Sequence, residues 1–124
     1  MSTINLTEAT FEDTIHAEGV LLIDWWAGWC HPCKQFAPIF EAAADKHADV
    51  TFAKIDTEAE QNLAGAVGIT SIPTLMAFRD GILVYAQPGA IPAEALDQII
   101  EQVQALDMDK VRAEIAAEEA QAEA

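Results

Sequence analysis

The chain has 124 residues, 52% of them hydrophobic and 22% charged, which suits one compact domain with a buried core. Its formal net charge of −15 is repelled by nucleic acid phosphates and anionic lipids, which argues against nucleic acid and membrane partners. Two cysteines are too few for the disulfide framework of a small secreted domain, and the amino terminus has no signal-like apolar stretch. These features predict a cytoplasmic protein.

The predicted elements alternate between strands and helices. In chain order we expect strand 4–6, a helix between Thr7 and Gly19, strand 21–26, helix 33–47, strand 50–55, helix 58–67, strands 74–78 and 82–85, and a helix from Pro92 to Leu106. The apolar run 21–26 is typical of a central strand covered on both faces. The dipeptide Asp80-Gly81 between two apolar runs predicts a hairpin. This order indicates an α/β fold with a central mixed β-sheet and helices on both faces.

Residues 107–124 differ in composition from the rest of the chain. They are rich in alanine and glutamate, and Val111 and Ile115 are their only branched apolar residues. We expect a domain over residues 1–106 and an acidic extension over 107–124. The extension continues the last helix, frays into a tail or supplies a weak contact face, and we favour a solvated helix or a tail.

The two cysteines form the main chemical motif. Cys30 and Cys33 lie where the strand 21–26 gives way to a helix. Positions i and i+3 are neighbours on a helix, so the two thiols are close enough to form a disulfide. A structural zinc site needs four ligands, and the chain adds only His16, His31 and His47. We therefore expect no metal site within one chain and a reversible dithiol/disulfide site. The alternative is a metal or an iron–sulfur cluster that bridges two subunits through Cys30 and Cys33.

Asp24 is an unusual residue for its position, because it is a carboxylic acid inside an apolar strand. Burial disfavours the charged form of a carboxyl group and raises its pKa. Asp24 is therefore expected to have a raised pKa, and a satisfied structural carboxylate is one explanation of such a residue.

The sequence resembles the thioredoxin family over residues 6–106. The resemblance rests on these segments: Asp24-Trp25-Trp26-Ala27, Trp29-Cys30, Pro32-Cys33-Lys34, Ala37-Pro38, Ala53-Lys54, Gly68-Ile69, Ile72-Pro73-Thr74, Asp80-Gly81 and Gly89-Ala90. It implies the thioredoxin fold, with the disulfide at the carboxyl end of a strand, where α/β folds place their sites.

The resemblance also implies an activity, namely the reduction of disulfides in client proteins by thiol–disulfide exchange. Cys30 at the helix amino terminus is then the attacking thiol, and Cys33 resolves the mixed disulfide. Asp24 accepts the proton of Cys33, directly or through water, and Lys54 is its expected charged neighbour and tunes the site.

The family further implies a docking surface beside the disulfide. Pro73 is expected to follow a cis peptide bond, although most X-Pro bonds are trans. The backbone of Ile72 is expected to pair with an extended peptide like an added strand. Trp29 and Gly89 are expected to frame the same surface.

His31 departs from the family pattern, which has glycine between the first cysteine and Pro32. Both residues between the cysteines tune the redox potential. A protonated imidazole beside Cys30 stabilises the thiolate and makes the disulfide more oxidising, whereas the helix amino terminus disfavours a cation. A shift toward oxidising and a neutral, solvent-exposed histidine both stay open.

The expected protein is thus a monomeric protein-disulfide reductase that binds no cofactor besides its own redox-active disulfide. Its partners are protein disulfide substrates and, by resemblance, an NADPH-linked thioredoxin reductase. One alternative is a more oxidising enzyme, an oxidant or isomerase. The other is a non-catalytic module that binds clients, against which the intact cysteine pair and Asp24 argue.

Overall fold

The computed structural model describes residues 2–123. The elements in chain order are β1 (Thr3–Asn5), α1 (Glu8–Ile15), β2 (Val20–Trp26), α2 (His31–Lys46), β3 (Thr51–Asp56), α3 (Gln61–Val67), β4 (Thr74–Arg79), β5 (Ile82–Pro88), α4 (Ala93–Gln104) and α5 (Met108–Glu123). Every predicted strand and helix is present. The fold class is therefore confirmed.

Most element boundaries differ from the prediction by a few residues. Helix α3 begins at Gln61 and not at residue 58, because the Asp56 carboxylate accepts the backbone N–H groups of Glu58 and Ala59 and closes a turn there. Pro92 is the residue before α4, not a residue of its first turn.

The five strands form one mixed sheet in the order β1-β3-β2-β4-β5. Strand β2 is central, parallel to β3 and antiparallel to β4. Strands β4 and β5 form the predicted hairpin. Asp80 and Gly81 both have positive φ (53° and 82°), the backbone that the tightest hairpin turns require.

Helices cover both faces of the sheet, and side chains of β2 alternate between two hydrophobic cores. Leu22 packs with Phe36 and Phe40 of α2 and with side chains of α4. Ile23 and Trp25 point the other way, toward α1 and α3. Asp24 shares the parity of Leu22, so it lies on the face of β2 that α2 covers.

The chain after α4 forms a separate, mostly exposed helix, α5, which agrees with the favoured solvated helix but does not continue α4. Asp107 precedes it and accepts the Lys110 N–H at 3.2 Å, as a capping residue does. Met108 is buried, while most of the α5 side chains that the structure describes are exposed. The division into a 1–106 domain and a 107–124 extension stays a prediction, and its end residues 1 and 124 lie outside the described residues.

Over residues 2–123, no helix combines the length and the apolar character needed to cross a bilayer.

Candidate active site

The two cysteines are joined by a disulfide at the junction of β2 and α2. Cys30 is the residue before α2, Cys33 lies in its first turn, and their Cα atoms are 5.2 Å apart. The Cys33 backbone N–H donates to Cys30 Sγ at 3.2 Å. Cys30 therefore occupies the capping position, where unpaired N–H groups and the helix dipole stabilise negative charge on sulfur.

The predicted docking residues lie beside Cys30. The Ile72–Pro73 peptide bond is cis, as the family resemblance implied. The Ile72 carbonyl oxygen lies 3.7 Å from Cys30 Sγ. Gly89 has φ of 107°, a conformation that favours glycine, and its N–H donates to the Pro73 carbonyl at 2.7 Å. The structure thus brings Ile72, Pro73 and Gly89 together at the disulfide.

Trp29 directly precedes Cys30 and is 69% exposed. Its indole N–H donates to Glu58 Oε1 at 2.6 Å, so a residue of the turn before α3 holds the ring. The sequence did not single out Glu58, since nothing in its local pattern distinguishes it from the other acidic residues. An exposed indole fixed in this way offers a flat apolar surface next to the reactive sulfur.

Asp24 is fully buried, and neither of its carboxyl oxygens has a hydrogen-bond partner among the described residues. It lines a partly open cavity of about 400 Å³ together with Cys33 and Lys54. Burial raises the pKa of Asp24 from 3.8 to about 7, against the opposing effect of the Lys54 charge and with a smaller raising effect from Glu41. The predicted rise is confirmed, and near neutral pH this carboxyl group both binds and releases a proton.

Lys54 lies on β3 directly in register with Asp24. Its ammonium nitrogen is 5.2 Å from the centroid of the Trp26 ring, a cation–π distance. The same nitrogen is 4.0 Å from Glu41 Oε1 of α2. Lys54 is therefore the charged neighbour of Asp24 that the resemblance implied. Glu41 contacts Lys54 in turn, and the sequence did not reveal that contact.

His31 and Pro32 are the first two residues of α2. Pro32 fits there, because the first N–H groups of a helix have no partner within the helix. His31 is exposed next to Cys30. Its effect on the redox potential stays a prediction.

The other histidines lie away from the disulfide, at the carboxyl ends of two helices. His16 Nδ1 is 2.7 Å from the Glu12 carbonyl oxygen, and His47 Nε2 is 2.9 Å from Asp97 Oδ1. Within residues 2–123 no three histidine, cysteine or acidic side chains are grouped to hold a metal ion.

This fold and this disulfide match known proteins. The thioredoxin family model matches residues 2–102. The chain belongs to the thioredoxin family. It is 51% identical over 121 residues to a putative thioredoxin 2 from Streptomyces coelicolor, covering 98% of this chain and 90% of that relative. It is 39% identical over 101 residues to the thioredoxin of Bacillus subtilis, covering 81% and 96% respectively.

Solved structures agree with this membership. A variant thioredoxin from Halobacterium salinarum superposes with a TM-score of 0.77 at 33% identity, covering 85% of this chain and 93% of that one. The thioredoxin of Malassezia sympodialis superposes with a TM-score of 0.75 at 30% identity, covering 85% and 96%. Together with the Cys30–Cys33 disulfide, family membership makes the chain a dithiol–disulfide oxidoreductase of the protein-disulfide reductase type. Its general partners are protein disulfides and a thioredoxin reductase.

Proposed function

We propose that the chain is a monomeric, cytoplasmic thioredoxin in which Cys30 attacks protein disulfides, Cys33 resolves the mixed disulfide and Asp24 accepts the Cys33 proton. The proposal rests on the different surroundings of the two sulfur atoms of the Cys30–Cys33 disulfide. One sulfur sits at a helix amino terminus, and the other lines a cavity shared with a buried carboxyl group that has no hydrogen-bond partner among the described residues.

In the first step the Cys30 thiolate attacks one sulfur of the client disulfide. A bond forms between Cys30 Sγ and that sulfur, the client disulfide breaks, and the second client sulfur leaves as a thiolate that takes a proton from water. The Cys33 N–H and the amino-terminal dipole of α2 support the Cys30 thiolate before attack.

In the second step the Cys33 thiol loses its proton to the Asp24 carboxylate and attacks Cys30 Sγ. The Cys30–Cys33 disulfide forms, the mixed disulfide breaks, and the client sulfur leaves as a thiolate that takes a proton from water. The client is then a dithiol that carries two electrons from this protein. A carboxyl group with a pKa of about 7 suits this role, because a general base is most effective when its pKa is near the working pH.

The docking surface of Trp29, Ile72, Pro73 and Gly89 holds an extended client strand beside Cys30. The Ile72 carbonyl at 3.7 Å from Cys30 Sγ supports pairing of the client backbone at this point. The exposed Trp29 ring supplies apolar contact area.

Three finer features belong to the same proposal. Electrons return to the Cys30–Cys33 disulfide from NADPH through a flavoprotein thioredoxin reductase. The net charge of −15 disfavours self-association and supports a monomer, which sedimentation at micromolar concentration measures. The use of both cysteines in one redox pair supports a cytoplasmic location, where other disulfides are rare.

Two serine variants test the roles of the cysteines. Cys30→Ser removes the nucleophile and abolishes insulin reduction with dithiothreitol as the electron source. Cys33→Ser retains the nucleophile, so it accumulates a stable mixed disulfide with insulin that appears on a non-reducing gel. Insulin reduction by Cys30→Ser, or a mixed disulfide that forms through Cys33 in that variant, would overturn the assignment.

A further inference from the structure

Glu41 lies in the middle of α2 and makes two contacts through one oxygen atom. Its Oε1 accepts a hydrogen bond from Thr3 Oγ1 at 2.6 Å and lies 4.0 Å from Lys54 Nζ. The Thr3 bond ties Glu41 to the edge strand β1. The Glu41 carboxylate is therefore held between Thr3 of β1 and the Lys54 ammonium group.

Lys54 is held on its other sides as well. Its backbone is in register with Asp24 on β2, and its ammonium group lies over the Trp26 ring. The side chain of Lys54 is only 17% exposed, and that of Glu41 is 29% exposed. One partly buried ammonium group is thus shared between Asp24, which is buried, and Glu41, which reaches the surface.

Resting on the proposed role of Asp24 as the proton acceptor for Cys33, we propose that Glu41 is a positioning residue that restrains Lys54 and so determines the pH range in which Asp24 accepts that proton. The physical reason is the sharing of charge. An ion pair with Glu41 holds the Lys54 ammonium group toward α2, so Lys54 stabilises ionised Asp24 less than it would if it were free to approach that carboxylate.

The groups that face Asp24 come from three elements. Lys54 projects from β3, and α2 contributes Glu41, Cys33 and Lys34, the last two of which line the Asp24 cavity. On β4 the residue in register with Asp24 is the apolar Leu75. Burial is the largest cause of the raised pKa of Asp24, the Lys54 charge lowers this pKa, and the Glu41 charge raises it. This effect of Glu41 acts directly between the two carboxyl groups, and the variants below separate it from the route through Lys54.

A purely structural role for Glu41, as an anchor for the first strand, is the competing explanation. The chain contains a matched control for it. Asp45, one helical turn further along α2, accepts a hydrogen bond from Ser2 Oγ at 2.7 Å. Asp45 therefore makes the same kind of side-chain bond to the amino-terminal segment, and it forms no ion pair with Lys54.

The test is a carbon-13 NMR titration of the Asp24 carboxyl group in the oxidised protein, assigned by loss of its signal in Asp24→Asn. Glu41→Gln keeps the size of the side chain and an oxygen acceptor for Thr3 but removes the charge. We expect it to lower the Asp24 midpoint by about half a pH unit, the scale of a partly exposed charge pair. Asp45→Asn should leave the midpoint unchanged.

A double-variant cycle tests the route through Lys54. Lys54→Gln alone should raise the Asp24 midpoint, and Glu41→Gln should have a smaller effect in the Lys54→Gln background than in the natural one. The proposal is overturned if Glu41→Gln has no effect, raises the midpoint, acts like Asp45→Asn, or has its full effect without Lys54.

The titration separates this proposal from the proposed function, because it needs no turnover. The rate of mixed-disulfide resolution should shift along the pH axis together with the Asp24 midpoint in Glu41→Gln. If the midpoint moves and the rate profile does not, the role of Asp24 as proton acceptor fails while Glu41 still positions Lys54. A midpoint that does not move overturns the Glu41 proposal itself.

Discussion

The polar groups at the two ends of the central sheet differ in their hydrogen bonding. At the carboxyl end of β2, beside the disulfide, the buried Asp24 carboxyl group has no hydrogen-bond partner among the described residues. At the other end, where Val20 of β2 pairs with β4, the polar groups are bonded. Asp80 Oδ1 accepts the Gly19 N–H at 2.8 Å, and Arg79 Nη1 donates to two carbonyl oxygens at the end of α4.

This contrast separates groups that stabilise the fold from a group that we propose serves the chemistry. A buried polar group without a partner costs free energy, and the place of Asp24 beside the disulfide supports its proposed role in proton transfer. The bonded end of the sheet instead fixes the β4–β5 turn and the carboxyl end of α4. It also holds α5 through Arg112, whose Nη2 lies 3.6 Å from Asp80 Oδ2.

The contrast predicts its largest effect for Asp24→Asn. Between pH 3.8 and about 7 the unfolded chain has an ionised Asp24 and the folded protein a protonated one, because its pKa is raised on folding. The free energy of unfolding therefore falls as pH rises through this window, by up to about 4 kcal/mol from this group, and is then level. Asn removes this slope, so the variant should be more stable than the natural protein above pH 7.

Urea unfolding at intervals from pH 4 to 8 measures this slope. Asp45→Asn is the control, because it removes an exposed carboxylate and should leave the slope unchanged. An Asp24→Asn variant with the natural slope would mean that Asp24 is not the buried titrating group.

At the end of the sheet where the polar groups are bonded, we expect a substitution to lower stability and leave activity unchanged. Arg79→Met removes the side-chain donor to the Val103 and Gln104 carbonyls and should lower the free energy of unfolding by about 1–3 kcal/mol. Insulin reduction by the folded variant should not change. Arg112→Met is the matched control and should cost less than about 1 kcal/mol, because Arg112 is half exposed and forms only ion pairs. Equal losses in the two variants, or a loss of activity in Arg79→Met, would contradict the separation of the two ends.

The smallest effect is expected for His31→Gly. A positive charge on the exposed His31 ring would stabilise the Cys30 thiolate only weakly, so replacing the ring should make the reduction potential more negative by less than about 30 mV, the equivalent of 1.4 kcal/mol. Equilibration in glutathione buffers with tryptophan fluorescence as the signal measures the potential. His16→Gln removes an exposed histidine far from the disulfide and serves as the control. An unchanged potential would mean that His31 is neutral and without effect.

The sequence predicted the parts of this molecule that depend on local pattern. The apolar run of β2 and the Asp80-Gly81 turn were enough for the order of elements, and the position of Asp24 inside that run was enough for its raised pKa. The cis bond before Pro73 came from the family resemblance and not from any local signal.

Contacts between acidic residues and partners far away in the sequence could not be predicted. Glu58 is 29 residues from Trp29, and Glu41 meets Lys54 only after α2 packs beside β3. Each is one of 21 acidic residues, and the sequence offers no sign of which carboxylates acquire a specific neighbour. The start of α5 also depends on a cap, Asp107, that the alanine- and glutamate-rich composition conceals.

The most direct test of the central claim is the pH dependence of mixed-disulfide resolution. Acid quenching of reduced protein mixed with an excess of a peptide disulfide, followed by mass spectrometry of the trapped mixed disulfide, measures the decay of that mixed disulfide in the natural protein and in Asp24→Asn. The account predicts a rate that rises with pH through a midpoint near 7 in the natural protein and that loses this step in Asp24→Asn. The same profile in both proteins would contradict it.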